Sequence, residues 1–395
     1  MEGLPDEREA RMSEEFDETF QRSRLRSLLD HFSVLKDPRE APEVRYPLRE
    51  VLFLVVAATI ADCEDYDEIA LWGRNHLEFL RRFSEFHFGT PCADWLRVVM
   101  NRIGPDLFQA CFTDWALALR PDAPKLIAID GKTSRRSHDR AAGRKALHLV
   151  SAWATTERLV LAQEAVDEKE NECAVIPEIL ERLDLNGAVV TIDAIACNPA
   201  IATAITERKG DYLLAVKANQ PTLFAEIGRY FDDPEARIAE HTAVDKGHGR
   251  IESRRYAVSQ EVDWLSGDRR YPDEPRFPHL KTIALVESVV EKAGSVSTMR
   301  RLFLSSAALT SHRLEQAVRG HWGIENCLHW VLDVTFREDQ SRLRKGHGAR
   351  NMAVVRHFAI NAVRVGKGKH SIKSTRKLAG WDPNVLANLL TPSSH

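Results

Sequence analysis

Two apolar runs that each end in an aspartate constrain the fold of this chain most strongly. Residues 126–130 end in Asp130 and residues 189–193 end in Asp193. Short apolar runs rich in branched residues are typical of buried strands, and α/β sheets place reactive groups at the carboxyl ends of their strands. One such aspartate is often only a turn or cap residue. Two of them on strands that can pair favour a functional role, because like charges held together need a cation or a shared proton.

The elements around these runs predict an α/β domain. Apolar patterning predicts strands at 125–130, 147–155, 158–166, 188–193 and 212–217, and helices at 173–183 and 199–208. Three strands, a helix, a strand, a helix and a strand is the element order of a ribonuclease-H-like domain. Continuous apolar runs fit the parallel part of such a sheet.

Helical and strand-rich segments flank this core. Residues 25–119 show a helical pattern, and Pro121 to Pro124 is a plausible linker. Strand character returns at 251–258, 280–290 and 300–305, and Ser311 is a good N-cap for a long helix to about residue 334. Another helix is expected at about 348–365. The predicted division is a disordered, charged segment 1–24, an all-α domain 25–120, a catalytic domain 125–365 with a β-rich insertion at about 225–308, and a basic tail 366–395.

Composition excludes several classes of protein. The 395 residues are 44% hydrophobic, which is ample for packed cores and rules out a disordered or fibrous chain. The longest apolar run, 51–61, is too short to cross a bilayer. The acidic start has no signal-peptide core, so we expect a cytoplasmic, nucleoid-associated protein without membrane contact. None of the six cysteines forms a C-x-x-C pair, which argues against a zinc cluster or a disulfide framework.

The net charge of −3 conceals an asymmetry. Between Gln340 and Gly380 there are eleven Lys or Arg and no Asp or Glu, so the rest of the chain carries −14. A basic segment on an acidic body indicates a polyanionic partner such as nucleic acid. A solvated basic face is the alternative interpretation of this feature alone.

A third acid lies in the long helix. Regular helical spacing places His321, Glu325, His329 and Asp333 along one face, with Trp322 beside it. The simpler interpretation is a core tryptophan and a solvated glutamate.

Five segments in order resemble the DDE transposases of bacterial insertion sequences, in the H-repeat-associated (ISAs-type) branch, over about residues 29–365. They are Ile129-Asp130-Gly131-Lys132-Thr133, Thr191-Ile192-Asp193-Ala194, Val216-Lys217-Ala218-Asn219-Gln220-Pro221, Gly247-His248-Gly249-Arg250-Ile251-Glu252, and His321-Trp322-Gly323-Ile324-Glu325-Asn326, the last continuing to Leu332-Asp333-Val334-Thr335-Phe336. A lone Ile-Asp-Gly-Lys is weak evidence, whereas five such segments in order are specific.

The resemblance implies a catalytic and metal-binding triad of Asp130, Asp193 and Glu325. It implies two Mg²⁺ or Mn²⁺ ions per site, with Asp130 bridging both ions and the other two acids each holding one. Water would cut the strand at the element end, and the freed 3′-hydroxyl would then attack target DNA. The expected partners are double-stranded DNA, as terminal inverted repeats and target, and a second copy of the chain.

Cationic, amide and aromatic groups near these segments are expected to contact DNA. The predicted DNA-binding residues are Lys132, Arg135, Arg136, Lys217, Asn219, Gln220, Arg319, His321, Trp322, Asn326, Arg342, Arg344 and Lys345, and Arg140 belongs to the same cationic stretch as Arg135. In relatives, an aromatic residue three positions before the glutamate stacks on a flipped base, and Trp322 holds that position. Core packing is the alternative for this side chain.

The chain departs from the pattern of related transposases around the glutamate. The tyrosine, arginine and lysine of Y-x2-R-x3-E-x6-K are replaced by Val318, His321 and Leu332. The chain therefore lacks the phosphate contacts of that arginine and lysine, and His321, Arg319 and Arg337 are the candidate substitutes.

Three functions remain open from sequence. The first is a metal-dependent DNA transposase. The second is a transposase-derived DNA-binding protein that has lost catalysis. The third is a hydrolase of small phosphate esters or sugars that uses paired carboxylates, against which the basic segment and the distant third acid argue.

Overall fold

The computed structural model describes residues 28–40, 44–119, 123–138, 143, 145–167, 171–217, 219–247, 250–266, 275–292 and 295–391. The predicted disordered segment 1–24, Arg140 and the last four residues of the predicted basic tail lie outside this range. The chain divides into two compact units. One contains Asp122–Lys132 and His148–His329, and the other contains Met1–Pro121, Thr133–Leu147 and Trp330–His395.

The first unit, here called the sheet unit, contains a nine-stranded sheet with the strand order β3-β2-β1-β4-β5-β9-β8-β7-β6. The strands are β1 (Leu126–Thr133), β2 (His148–Ala154), β3 (Leu159–Val166), β4 (Val189–Ile192), β5 (Asp211–Val216), β6 (Ala239–Gly247), β7 (Arg250–Ser259), β8 (Thr282–Lys292) and β9 (Ser295–Ser305). β4 pairs in parallel with both β1 and β5, whereas β2–β3 and every pair from β5–β9 to β6–β7 are antiparallel.

Helices accompany this sheet. They are Glu172–Glu181, Pro199–Glu207, Pro221–Asp232, Asp263–Ser266 and Ser311–Gly323, followed by a π-helix at Ile324–His329. The Pro199–Glu207 helix begins as the sequence predicts, because proline fits the first helical position and the Asn198 side chain accepts from Ile201 N–H. The long helix begins one residue earlier than expected, since Thr310 rather than Ser311 is the N-cap and accepts from Arg313 N–H.

The mixed α/β fold and the ribonuclease-H-like order of β1–β5 confirm the predicted fold class. The strand-rich segment is not a separate layer, because β9 pairs with β5 and continues the same sheet to β6. β6 and the Pro221–Asp232 helix were missed. β6 has no apolar run, since all but two of its residues are exposed, and the strand is held by its ladder with β7.

The second unit, here called the helical unit, is formed by segments that are distant in sequence. Its described helices include residues 28–33, Leu48–Ile60, Tyr66–Asn75, Leu77–Arg81, Ala93–Arg102, Pro105–Ala118, Trp330–Val334, Gly348–Gly366, Ile372–Trp381 and Pro383–Leu390. Within the segment predicted to be helical, Tyr66–Asn75 and Leu77–Arg81 are two helices separated by His76. Leu48–Ile60 is buried along almost its whole length, and no helix among the described residues is long and apolar enough to span a membrane.

The core of the helical unit forms around the Gly348–Gly366 helix. This helix contacts Leu48–Ile60 and Pro105–Ala118, and the Phe358 ring lies 5.3 Å from that of Phe32 and 5.0 Å from that of Phe112. Aromatic rings in edge contact contribute beyond their buried area. The N-terminal helices and the C-terminal helices therefore share one core, across the boundaries predicted from sequence.

Candidate functional site

A cavity of about 460 Å³ lies in the sheet unit where β1 and β4 end their pairing, and Asp130, Asp193 and Glu325 all line it. Ile129 and Ile192 are the last register partners of the two parallel strands. Each aspartate is the next residue along its strand, so the parallel register carries both carboxylates to the same edge of the sheet. β1 itself continues to Thr133 rather than ending at Asp130.

Glu325 reaches this cavity from the π-helix Ile324–His329. The sequence predicts a regular helix here, which the structure does not show. π-turns inside helices are rare and frequent at functional sites. His321 also lines the cavity, and His329 Nδ1 lies 3.6 Å from Asp130 Oδ2.

Asp130 has a raised pKa. Burial raises the pKa of this carboxyl to about 7, and the charges of Glu172, Glu325 and Asp193 act in the same direction, against a backbone hydrogen bond from Gly131. A carboxylate with such neighbours is stabilised by a cation or by a proton.

The pKa of Asp193 is shifted in the opposite direction. Although burial acts to raise its pKa, the Ala194 N–H hydrogen bond and the Lys217 ammonium outweigh burial and lower it. Lys217 Nζ lies 3.0 Å from Oδ1 of this carboxylate. Lys217 follows β5 as Asp193 follows β4, so adjacent strands bring the two together.

A fourth acid next to the cavity was not predicted. Glu172 Oε1 lies 2.8 Å from His148 Nε2. The negative charge of Glu172 contributes to the raised pKa of Asp130. A Cβ on Gly131 would lie 2.2 Å from Glu172 Oε1 and 2.7 Å from His148 Nε2, so any larger residue here would have to displace this pair. Glu172 stands at a helix start and His148 at a strand start, and neither position carries a sequence signal.

The amide residues predicted to contact DNA have partners within the protein. Asn219 Nδ2 donates to the Ala194 carbonyl at 2.7 Å, and Gln220 Nε2 donates to the Cys197 carbonyl at 3.0 Å. Both side chains thereby brace the turn that follows β4. Asn326 is exposed, and its Nδ2 lies 3.3 Å from the Trp322 carbonyl.

His321 and Arg319 do not present open cations to the cavity. His321 Nδ1 lies 3.0 Å from Thr191 Oγ1, and burial lowers the pKa of its ring, so the imidazole is neutral at neutral pH. Arg319 is paired with Glu315 and Asp245, both at 3.2 Å. The structure favours a positioning role for both over the phosphate contact of the missing arginine.

Trp322 is 39% exposed and lines the cavity. The Arg301 guanidinium lies over its ring, 4.5 Å from the centroid. This arrangement argues against the core-packing alternative and leaves an aromatic face with an adjacent cation. Arg301 was not predicted, because it lies in the strand-rich segment.

The other predicted cations are distributed between the two units. Lys132 is in the sheet unit and is half-buried. Five of the predicted DNA-binding cations are exposed in the helical unit, namely Arg135, Arg136, Arg342, Arg344 and Lys345. There, Arg344 Nε donates to the Arg136 carbonyl at 3.2 Å, and Arg135 N–H donates to Asp339. Arg337 also belongs to this unit, with a φ of 48°.

Two of the eleven cations in the basic segment are not available to a partner. Arg376 is fully buried and Arg356 nearly so. Arg376 pairs with Glu64 at 3.0 Å and Asp62 at 3.2 Å, and Arg356 lies 3.4 Å from Glu338. The basic segment thus contributes to the core of the helical unit.

The Transposase DDE domain family model matches residues 121–362, and the DDE_Tnp_1-associated model matches residues 29–116. The chain is 35% identical over 378 residues to YhhI of Escherichia coli (strain K12), named as an H repeat-associated candidate transposase, covering 93% of this chain and 99% of that protein. It is 41% identical over 280 residues to a protein in the dhlA 3′ region of Xanthobacter autotrophicus, covering 70% and 92%.

Among solved structures, the chain is similar to a piggyBac transposase synaptic complex with hairpin DNA. The TM-score is 0.42 at 12% identity, covering 92% of this chain and 77% of that one, a likeness too weak to bear on function. The Transposase DDE domain model and the two relatives each match most of the chain. This chain belongs to the Transposase DDE domain family.

Proposed function

We propose that this protein is a DNA transposase that cleaves DNA at the ends of an insertion sequence and joins those ends to target DNA. The observation that supports this most directly is the convergence of Asp130, Asp193 and Glu325 on one cavity, from positions about 63 and 132 residues apart in sequence. The membership of the chain in a transposase family gives the reaction class.

The three carboxylates suit divalent cations as ligands. Mg²⁺ and Mn²⁺ prefer hard oxygen donors. Burial and then the neighbouring acids raise the pKa of Asp130, and a bound cation would stabilise its ionised form. We expect Asp130, Asp193 and Glu325 to hold two such ions. When bound, the ions supply charge stabilisation on the transferring phosphoryl group and lower the pKa of water.

The residues of the chain have distinct parts in the reaction. The Lys217 ammonium donates to Asp193. When DNA enters the cavity, this ammonium can donate to a phosphate oxygen instead. The neutral His321 holds Thr191 next to that carboxylate. Trp322, with Arg301 over its ring, offers a stacking face for an unpaired base.

The proposed chemistry has two steps at one site. In the first, water attacks phosphorus at the element end, and the bond to the 3′ oxygen breaks to leave a 3′-hydroxyl. In the second, that 3′-hydroxyl attacks a target phosphodiester, and the target's own 3′ oxygen leaves with the proton. The first step converts a phosphodiester into a 5′-phosphate monoester and a 3′-hydroxyl, the second exchanges one phosphodiester for another, and both need the same carboxylates. We expect the protein to act on terminal inverted repeats as a homodimer in the cytoplasm.

The experiment compares wild type, Asp193→Asn and the exposed Glu207→Gln as matched control. The substrate is double-stranded DNA that carries the genomic flanks of the coding sequence. Wild type and Glu207→Gln are expected to cleave it in Mg²⁺ and not in EDTA, whereas Asp193→Asn should lose at least about 100-fold in rate. Equal rates for wild type and Asp193→Asn would contradict the proposal.

The alternative is a transposase-derived protein that binds DNA without cutting it. The replacement of the expected arginine by His321, which is neutral and bound to Thr191, favours this alternative. It predicts retained, salt-sensitive binding to the same DNA with no cleavage by any of the three proteins.

A further inference from the structure

A second cluster of metal-binding side chains lies in the sheet unit, apart from the acid-lined cavity. His241 is on β6, and His312 and Glu315 lie near the start of the Ser311–Gly323 helix. The spacing of i and i+3 places the two helical residues on the same face. One ligand atom from each of the three residues lies within 4.8 Å of the other two.

The contacts within this cluster bring the donors together. His241 Nε2 lies 2.8 Å from Glu315 Oε2, and the rings of His241 and His312 are 4.0 Å apart. The second oxygen of Glu315 accepts from Arg319 at 3.2 Å. The arginine therefore orients the carboxylate and leaves Oε2 directed at the histidines.

One buried polar atom in the cluster lacks a hydrogen-bond partner among the described residues. His241 Nδ1 is buried without such a partner, although buried polar atoms are nearly always satisfied. The Tyr256 ring stacks on the His241 ring at 5.2 Å and fixes its plane. His312 is exposed, so an ion can reach the cluster from solvent.

We propose that His241, His312 and Glu315 form a binding site for one Zn²⁺ ion. Two imidazoles and one carboxylate are a donor set that Zn²⁺ takes, with a fourth position left for water. The set differs from the oxygen-only carboxylates of the acid-lined cavity, which suit Mg²⁺. The bound ion joins β6 to the Ser311–Gly323 helix. Because this helix leads directly into the π-helix that carries Glu325, the ion stabilises the element that positions Glu325.

The test uses the full chain, stripped with chelator and kept in excess Mg²⁺ so that the carboxylate cavity is occupied. Co²⁺ serves as the spectroscopic probe, because nitrogen and oxygen ligands in a four-coordinate site give strong visible bands and oxygen-only octahedral sites do not. Wild type is compared with His312→Gln and His241→Gln. The exposed His370→Gln is the matched control.

Wild type and His370→Gln are expected to show the four-coordinate Co²⁺ spectrum and to retain one Zn²⁺ per chain after dialysis. Each of the other two variants should lose the spectrum and bind Zn²⁺ at least about tenfold more weakly. Zn²⁺ should raise the Tm of wild type by about 4 °C and leave that of His312→Gln unchanged. An identical spectrum in wild type and His312→Gln, or no retained Zn²⁺ in wild type, would overturn the proposal. None of these readouts depends on DNA cleavage.

Discussion

Lys217 Nζ lies 3.0 Å from Oδ1 and 3.1 Å from Oδ2 of Asp193, so one ammonium faces both oxygens of the carboxylate. Both side chains are half-exposed, and an exposed ion pair contributes little to the free energy of unfolding. The ion pair matters for the site rather than for stability, because it places an ammonium beside one of the three carboxylates proposed to hold metal ions. Asp130, which lines the same cavity, has a raised pKa instead.

Removing this ammonium should change both the pKa of Asp193 and the affinity of the site for Mg²⁺. In Lys217→Gln we expect the pKa of Asp193 to rise, because a cation that stabilises the carboxylate is removed. We expect Mg²⁺ to bind roughly threefold more tightly, since repulsion between the ion and the ammonium disappears. Carboxyl NMR titration and calorimetry measure the two effects. The exposed Lys125→Gln is the control, and an unchanged Asp193 pKa would refute this account.

Asp130→Asn should stabilise the fold at high pH only. The folded-state pKa of about 7 exceeds the ordinary 3.8, so the folded state binds more protons between these values and stability falls as pH rises through that window. Without metal, the variant should exceed wild type by on the order of 2 kcal/mol at about pH 8 and by almost nothing at about pH 4. Urea unfolding at both pH values checks this, and an equal gain at both would speak against it.

Gly131→Ala should weaken the fold by displacing the His148–Glu172 pair. Its Cβ would lie 2.2 Å from Glu172 Oε1, and because side-chain ends can move, the expected loss of stability is about 1–2 kcal/mol. In the Glu172→Ala background this loss should largely disappear, as expected for contacting residues. Gly104→Ala, where nothing lies within 4 Å, is the control. Additive effects in the double variant would exclude the clash.

Arg376→Met should destabilise the helical unit strongly. The guanidinium is fully buried, lies 4.0 Å from the Phe336 ring centroid, and donates to the Thr59 carbonyl and to Glu64. Removing it leaves a buried carboxyl without its cation, at a cost of about 3 kcal/mol or more. Denaturant unfolding should show this loss, whereas the exposed Lys377→Met should change little. Equal stabilities would show that the buried ion pairs are dispensable.

The exposed cations of the basic segment should set the salt dependence of DNA binding. In the triple variant of Arg342, Arg344 and Lys345 to alanine, the slope of log K against log salt should fall by about 0.9 for each phosphate that the variant no longer neutralises. Fluorescence anisotropy at several salt concentrations measures this slope. The exposed pair Arg81 and Arg82, changed to alanine, is the control. If the triple variant and wild type have the same slope, DNA does not contact these three residues.

Local pattern determined much of this protein. The apolar runs before Asp130 and Asp193, the turn between β2 and β3 and the proline at the start of Pro199–Glu207 are properties of short segments, so the sequence predicted these elements within a few residues. The formation of strands and helices depends on the periodicity of apolar residues and on capping residues. Both can be recognised in the sequence without a structure. The quoted segments also carried the family resemblance.

Only the tertiary structure decided which side chains meet. The parallel register of Ile129 with Ile192 placed the two aspartates side by side, and the pairing of β9 with β5 made one sheet of two predicted parts. Glu172, Arg301 and His241 acquired their neighbours through contacts between segments far apart in the chain, and Arg376 became buried in the same way. Such contacts depend on the packing of whole elements, which no local periodicity records.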